Sequence, residues 1–262
     1  MADPKTSILN VIRHFLAQHP ELAPVVERMA AQQQGKTDED VQNFAEWKRY
    51  QNLSTREVFE RIYEEGHWGK NPEARYFSGT GSHDPAIIGA YVAAVAGYLE
   101  GLPQKPSALD IGCGDFNVGS KLRPYCAAFR AVDIVAPVIE DNRVRFQDAD
   151  VEFGVLNIAE DAPPRVDVIF IRQVLQHLSN AEIGKALANL AGRCDHLIVT
   201  EHIPPGDFTP NLDKPTGRGI RIRHNSGVVI SAPPFSFPFR EQTTLCEVPE
   251  LGGIIRTTAY AL

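Results

Sequence analysis

Cysteine, long apolar runs and positive charge are all scarce in this 262-residue sequence. The four cysteines are scattered and form no C-x-x-C pair, so we expect reduced thiols in a cytoplasmic protein rather than disulfides or a zinc site. No apolar run approaches the ~20 residues that cross a bilayer, and the N-terminal stretch lacks the apolar core of a signal peptide; we therefore expect no membrane span. The net charge of -7 argues against a nucleic-acid partner, although backbone amides could still hold a small nucleotide.

Residues 1–54 are predicted to be helical and carry no chemical signature. Apolar side chains recur with helical spacing in 5–18, 22–29 and 38–51. We interpret 1–54 as a helical N-terminal extension. The sequence leaves open whether it folds over a ligand as a lid or joins two copies of the chain as a homodimer.

The rest of the chain, 55–262, is predicted to be one domain. Helices at 55–65 and 84–98 precede the first strand, and a helix at 180–192 lies between the fourth and fifth strands. Alternating strands and helices produce a parallel α/β sheet with right-handed crossovers, and the continuous apolar strands indicate burial on both faces. The predicted strands are 106–111, 128–134, 151–156, 166–171 and 196–200, followed by 243–248 and 253–261, which we expect to pair as a closing hairpin.

A strand followed by a glycine turn, Asp110-Ile111-Gly112-Cys113-Gly114, is the most distinctive motif of the sequence. Glycine permits positive φ and lets a ligand approach the backbone. A strand, a glycine turn and a helix together make a nucleotide-sized cradle at the carboxyl edge of a sheet. Asp133, at the end of the second predicted strand, suits the two hydroxyls of a ribose. A dinucleotide fingerprint would need a third glycine where the chain has Asn117, so a nicotinamide cofactor is disfavoured.

The D-x-G-x-G pattern of Asp110, Gly112 and Gly114 is similar to motif I of class I S-adenosylmethionine (SAM)-dependent methyltransferases. Over about 106–262 the chain resembles this family, and it looks closest to a bacterial group linked to O-methylation of carbohydrates and polysaccharides. Four further blocks carry the resemblance, in chain order: Trp68-Gly69 with Ser78-Gly79-Thr80-Gly81-Ser82, Cys113-Gly114-Asp115-Phe116-Asn117, Arg172-Gln173-Val174-Leu175-Gln176-His177-Leu178, and Ala232-Pro233-Pro234-Phe235.

The resemblance implies a Rossmann-like α/β fold, with a seven-stranded sheet whose last strand is antiparallel, and SAM as the cofactor. It implies that Asp110, Gly112 and Gly114 surround the methionine part of SAM. Asp133 is then expected at the ribose. The adenine contact falls on Asn157-Ile158, where the family often has Asp; an Asn side chain can still accept a hydrogen bond from the adenine amino group. The other residues that the resemblance places around the cofactor are Cys113, Phe116, Arg172, Gln173, Trp68, Gly81 and Ser82.

Methyl transfer to a sugar hydroxyl needs a general base, because an alcohol is far from ionised at neutral pH. His202 leads the candidates, since it follows the fifth predicted strand at the expected active-site edge and histidine titrates in the useful range. His177 comes second, although a histidine there could equally pack where a helix meets the sheet. Glu201, beside His202, is the third candidate.

The segment 203–242 is predicted to be a loop that faces the acceptor. It is rich in proline and glycine, and a loop of this length is usually functional or disordered. Arginines could hold an anionic acceptor or sugar hydroxyls, and phenylalanine rings could stack on a sugar or aromatic face. These residues are Arg218, Arg221, Arg223, Arg240, Phe208, Phe235, Phe237 and Phe239.

A divalent metal such as Mg²⁺ is left open, and no metal site is assigned. No pair of candidate ligands has zinc-like spacing, so solvated surface residues are the favoured interpretation. The side chains that could supply ligands are His177, Glu201, His202, Asp207, Asp213 and His224.

The leading hypothesis is therefore a SAM-dependent O-methyltransferase that acts on a hydroxyl of a sugar, oligosaccharide or polysaccharide precursor. One alternative is an O-methyltransferase for a phenolic or other small natural product. A second alternative is a non-catalytic SAM-binding protein. The first two predict methyl transfer and differ in the acceptor, whereas the third predicts binding alone.

Overall fold

The computed structural model describes residues 48–71 and 74–262. The chain divides into two compact units, Met1–Asn52 and Leu53–Leu262. Only the end of the first unit is described, where residues 48–50 are helical. The N-terminal helices predicted before that point lie outside the described residues.

The larger unit is built on one seven-stranded sheet with the strand order β3-β2-β1-β4-β5-β7-β6. The first five strands are parallel, and β7 runs antiparallel to both β5 and β6. The predicted α/β sheet with a closing antiparallel hairpin is thus confirmed. The strands are β1 (Ser107–Ile111), β2 (Ala128–Asp133), β3 (Glu152–Val155), β4 (Val168–Arg172), β5 (His196–Ile203), β6 (Glu241–Glu250) and β7 (Gly253–Ala261).

Helices flank the sheet and begin at clear capping residues. Ser54 and Ser179 each form a capping box with a glutamate three residues later, and Asp84 caps the helix that starts at Pro85. No helix in the described part of the chain is long and apolar enough to cross a membrane. The α-helices are α1 (Thr55–Glu64), α2 (Pro85–Glu100), α3 (Gly119–Leu122), α4 (Ala136–Arg145) and α5 (Asn180–Leu190).

The central strands are buried on both faces, as their apolar runs predict. Leu109, Ile169 and Leu197, on three adjacent strands, have no exposed surface. Phe116, expected at the cofactor, is also fully buried, and its ring packs edge-on against Phe153 at 5.0 Å. Its side chain therefore belongs to the core, and this position does not support a side-chain contact with the cofactor.

The sheet order brings the carboxyl ends of β1 and β4 side by side. From β1 the chain moves outward to β2 and β3, and from β4 it moves to β5 in the opposite direction. Open α/β sheets bind their ligands at such a reversal point. The glycine turn after β1 lies there.

Candidate active site

The turn after β1 has a conformation that glycine takes far more readily than other residues. Gly112 has a φ of +73° and Gly114 a φ of +54°, both in the left-handed region. A Cβ on Gly112 would lie 2.4 Å from a methyl group of Val174, and one on Gly114 would lie 2.2 Å from Oγ of Ser78. The two glycines therefore let the turn approach both the segment after β4 and the loop before α2.

Asp133 connects this turn to the end of β2. Its Oδ2 accepts a hydrogen bond from the N–H of Gly114 (3.0 Å), and its Oδ1 accepts one from the N–H of Val135 (3.0 Å). Burial raises the pKa of Asp133, although these backbone hydrogen bonds act to lower it. The backbone N–H of Ile134 also acts on this carboxylate, so its acceptor capacity is partly used and part of it remains for a ribose.

Asp110 and Arg172 bring opposite charges to one small cleft from the adjacent strands β1 and β4. No described residue donates a hydrogen bond to the Asp110 carboxylate, and burial raises its pKa to about 7 against the opposing effect of Arg172. The guanidinium of Arg172 donates to the carbonyl of Gly81 (2.6 Å) and to Oγ of Ser82 (3.2 Å). Its Nε is buried and has no hydrogen-bond partner among the described residues. The cleft thus contains an acceptor and a donor that the protein itself leaves unsatisfied.

The Ser-Gly-x-Gly-Ser loop folds onto the glycine turn. The N–H of Asp115 donates to Oγ of Ser78 (2.8 Å), and the side chain of Asn117 donates to the carbonyl of Ser82 (2.8 Å). Nε2 of His83 lies 2.6 Å from Oδ2 of Asp115. Blocks that are far apart in the sequence therefore form one structure around the cleft, with Ser82, Gly112 and Cys113 in its lining.

Gln173 and Trp68 lie at the border of this arrangement. Gln173 has a φ of +54°, and its Oε1 would be 2.7 Å from a Cβ on Gly81. The ring of Trp68 packs against Tyr63 (4.9 Å) and His177 (5.4 Å). Gln173 is next to the loop that Arg172 binds, whereas Trp68 is part of an aromatic cluster behind it.

Asn157 and Ile158, expected at the adenine, form the turn after β3. Oδ1 of Asn157 accepts a hydrogen bond from the N–H of Ala159 (3.1 Å), and the carbonyl of Ile158 accepts one from Asn189 (2.8 Å). Both residues are buried. An oxygen can accept a second bond, so the adenine contact stays a prediction.

The structure does not place His202, the leading candidate base, in the cleft. Its side chain is 3% exposed, and its Nε2 donates to the carbonyl of Glu250 at the end of β6 (2.7 Å). Its backbone N–H donates to Oε1 of Gln176 (3.2 Å). His202 therefore links β5 to the closing hairpin, and this buried position does not support the prediction that it is an accessible base.

Glu201 and His177 also serve the fold. The Glu201 carboxylate accepts hydrogen bonds from the N–H groups of Leu175 (3.0 Å) and Gln176 (2.9 Å), and burial raises its pKa to about 8. Burial, assisted by the charge of Lys214, lowers the pKa of His177 to about 3, at which an imidazole is a weak base. Neither arrangement suits the removal of a proton from a hydroxyl.

Within the predicted acceptor loop, Arg221 does not face an acceptor. It is 1% exposed, and its guanidinium donates to the carbonyls of Leu212 (2.8 Å) and Leu178 (2.8 Å) and to Oδ1 of Asn180 (2.9 Å). Phe237 is buried as well. Part of the loop is therefore anchored to the segment after β4 and the start of α5, while the remaining predicted arginines, Arg218, Arg223 and Arg240, are exposed.

In the described ranges, no group of three or more histidine, cysteine, aspartate or glutamate side chains is arranged to hold a metal ion. His202 and Glu201, two of the candidate ligands, are engaged by backbone groups. Asp213 accepts a hydrogen bond from the N–H of Asn180 at the start of α5 (2.7 Å). These residues act as hydrogen-bonding partners of the chain.

Sequence reasoning missed two side chains beside the cleft. Asp115 is in the block Cys113–Asn117, but no spacing rule pairs it with His83, which is 32 positions earlier. Tyr63 lies in the helix predicted over 55–65 and carries no motif, yet its hydroxyl lies 3.1 Å from Oγ of Ser78. Only the folded chain shows that these groups meet at the glycine turn.

The fold is that of the Rossmann-like α/β methyltransferases. Three solved structures share it. The N-methyltransferase NodS from Bradyrhizobium japonicum WM9, in complex with S-adenosylhomocysteine, is 14% identical over 78% of this chain and 98% of that chain, with a TM-score of 0.57. Magnesium protoporphyrin IX methyltransferase from Synechocystis PCC 6803, with bound SAM, is 15% identical over 80% of this chain and 98% of that chain (TM-score 0.52), and a SAM-dependent methyltransferase from Leishmania major is 16% identical over 82% of this chain and 88% of that chain (TM-score 0.55). At these identities the likeness establishes the architecture.

Residues 109–196 match the protein family described as a methyltransferase domain. A comparison with curated protein sequences gave no match. The matched stretch covers about a third of the chain, runs from β1 to the start of β5 and includes the glycine turn. Domain and fold together support a SAM-dependent methyltransferase with SAM as its cofactor.

Proposed function

We propose that this protein transfers the methyl group of SAM to a hydroxyl of a sugar, oligosaccharide or polysaccharide precursor. The observation that carries the cofactor assignment is the unsatisfied pair in the cleft, the Asp110 carboxylate and the buried Nε of Arg172. The methionine part of SAM has an ammonium and a carboxylate on one carbon. The ammonium has the opposite charge to the Asp110 carboxylate, and the carboxylate has the opposite charge to the Arg172 guanidinium.

The residues around the cleft fit the rest of SAM in the same way. Asp133 retains acceptor capacity for the ribose, and Asn157 lies at the carboxyl edge of β3 for the adenine. When bound, SAM supplies a methyl group that its sulfonium has already activated. The protein then has to orient the acceptor for in-line attack and keep water away.

The surroundings of the cleft support a hydroxylated acceptor. Gln173 places a side-chain amide beside the Ser-Gly-x-Gly-Ser loop, and Oγ of Ser82 can still form a further hydrogen bond besides the one with Arg172; both groups suit sugar hydroxyls. Tyr63 and Trp68 add aromatic rings beside that loop, and rings of this kind combine an apolar face with a polar edge. The negative net charge is consistent with an acceptor other than nucleic acid.

A cytoplasmic location and a role for residues 1–54 as a lid or dimer element belong to the same proposal. The free state of Cys113, Cys126, Cys194 and Cys246 supports a reducing compartment. The oligomeric state can be measured by light scattering of the full chain beside a variant that starts at residue 53, where the larger unit begins.

Transfer of radiolabelled methyl from SAM to a panel of methyl glycosides, short glycans, phenols and amines tests the proposed function. We expect label in a sugar hydroxyl, and loss of that label in Asp110→Asn. Asp148→Asn, an exposed carboxyl away from the cleft, is the matched control and should keep full activity. Label only in phenols or amines would contradict the acceptor class, and parallel reactions with EDTA would show whether a divalent metal takes part.

A further inference from the structure

A histidine–aspartate pair lies beside the cleft and has no part in the function described so far. His83 precedes α2, and Asp115 follows the glycine turn; Nε2 of His83 is 2.6 Å from Oδ2 of Asp115. Asp115 is 2% exposed, whereas the His83 side chain retains about a quarter of its exposure, 23%. The pair joins a buried carboxylate to an imidazole that solutes can reach.

The hydrogen bonds of Asp115 fix the tautomer of His83. The carboxylate also accepts hydrogen bonds from the N–H groups of Ser78 (3.2 Å) and Asn117 (3.3 Å), so it acts as an acceptor on every side. Nε2 must therefore carry the hydrogen in the bond to Asp115, which leaves the lone pair of a neutral imidazole on Nδ1. No described residue forms a hydrogen bond with that Nδ1, so it can accept a proton from a ligand.

The ring of His83 is also held in place. Phe77 stacks on it, with 4.3 Å between ring centres and 29° between ring planes. Ser82, next to His83, binds the Arg172 guanidinium and lines the cleft together with Asp115 and Asp110. Asp115 therefore belongs to the lining of the cleft, and His83 is adjacent in sequence to Ser82, which also lines it.

We propose that His83 is the general base of the methyl transfer and that Asp115 is the residue that positions it. This inference rests on the proposed function. The hydroxyl oxygen of the acceptor forms the new bond to the methyl carbon, while the carbon–sulfur bond breaks and its electron pair stays on sulfur. The hydroxyl proton moves to Nδ1 of His83, which becomes an imidazolium bound to the Asp115 carboxylate.

His67 and Glu65 form a second pair at the same separation, 2.6 Å, but differ in position. Their side chains are 26% and 27% exposed, and neither lines the cleft. His67→Gln is therefore a matched control for His83→Gln: each removes an imidazole bonded to a carboxylate.

The test measures kcat for the best acceptor of the methyl glycoside panel, at saturating SAM and across a range of pH. Because general bases contribute roughly 10²–10⁴-fold, we expect His83→Gln to lower kcat by about 100-fold or more and to remove the fall in rate at acidic pH. Asp115→Asn should act in the same direction, because an amide can donate to Nε2 and move the hydrogen to Nδ1. The titratable groups that interact electrostatically with Asp115 are Asp133, Tyr63 and Cys113, so the SAM dissociation constant is measured for each variant to separate binding from the proton transfer.

A purely structural role is distinguished by chemical rescue. His83→Ala leaves space at the ring position, and added imidazole should restore a measurable part of the lost rate if His83 is the base. Unchanged kcat and pH profile in His83→Gln, or a lost rate that imidazole does not restore in a variant that still binds SAM, would overturn the assignment. If the wild-type protein methylates no acceptor, the proposed function fails; if it does and His83→Gln matches His67→Gln, only this inference fails.

Discussion

The affinity for SAM is predicted to depend on pH through Asp110. Burial raises the pKa of this carboxyl to about 7, because the charged form loses hydration, while Arg172 partly offsets that loss. Without ligand, about half of the folded molecules therefore carry a proton on Asp110 at neutral pH. A cationic ligand favours the ionised carboxylate, so binding must release that proton.

The size of the effect follows from the linkage between proton and ligand. Below the pKa of about 7, each pH unit reduces the ionised fraction roughly tenfold, so the dissociation constant should rise about tenfold per unit. Between about pH 8 and about pH 6 we expect the affinity for SAM to fall roughly tenfold, and above about pH 8 it should level off.

Isothermal titration calorimetry in buffers with different ionisation enthalpies measures both the affinity and the number of protons released. Asp110→Asn should bind SAM more weakly at neutral pH and should lose the pH dependence. Asp148→Asn should behave like the wild type, because its carboxyl is exposed. A dissociation constant that is the same at about pH 6 and about pH 8 would refute this account of Asp110, and so would a slope that persists in Asp110→Asn.

Three further predictions concern stability and can be measured by urea unfolding. Gly114→Ala should lower the free energy of unfolding by about 2–5 kcal/mol, because the left-handed backbone is strained with alanine and the new Cβ would also clash with Ser78. The control Gly192→Ala has a similar φ and nothing within 4 Å, so it should lower the free energy of unfolding by only about 1–2 kcal/mol. Equal losses in the two variants would contradict the close approach at Gly114. The pKa of Glu201 is raised to about 8 in the folded protein, so the unfolded chain loses this proton at a lower pH than the folded chain does. Stability should therefore fall by up to about 1.4 kcal/mol per pH unit as pH rises from about 4.5 to about 8. Glu201→Gln should flatten that slope, and an unchanged slope would contradict this role of Glu201. Arg221→Ala should destabilise by about 3–5 kcal/mol because it leaves buried acceptors without a donor, while the exposed Arg240→Ala should change stability by less than about 0.5 kcal/mol.

The strands of the sheet could be predicted because the apolar patterns that identify them lie within short stretches of sequence. Continuous apolar runs define β1 and β4, and the hairpin of β6 and β7 follows from two late strands close together in the chain. Strand ends were less accurate: β5 continues to Ile203, three residues beyond the prediction, because pairing with β7 extends over its whole length. Pairing partners of this kind lie far away in sequence.

The charges of the cleft were predictable for a similar reason. Asp110 is the next-to-last residue of β1 and Arg172 is the last residue of β4, and the carboxyl ends of parallel strands meet at one edge. What the sequence could not show is that Arg172 reaches the Ser-Gly-x-Gly-Ser loop. That contact joins segments 91 positions apart.

The candidate bases could not be judged from sequence, because their accessibility depends on tertiary contacts. His202 follows the expected strand, yet its ring nitrogen is satisfied by the carbonyl of Glu250 from the hairpin. Arg221 lies in a loop whose composition predicted ligand binding, yet its guanidinium donates hydrogen bonds to buried backbone carbonyls. In both cases a polar side chain that was expected at the active site forms a hydrogen bond that a buried backbone carbonyl needs.

The central claim is that the cleft at the reversal point of the sheet binds SAM. Calorimetric titration of the full chain with SAM and, separately, with NAD tests it most directly. We expect one saturable site for SAM, none for NAD, and weaker binding of SAM by Asp133→Ala. Binding of NAD without binding of SAM, or an affinity for SAM that Asp133→Ala leaves unchanged, would contradict it.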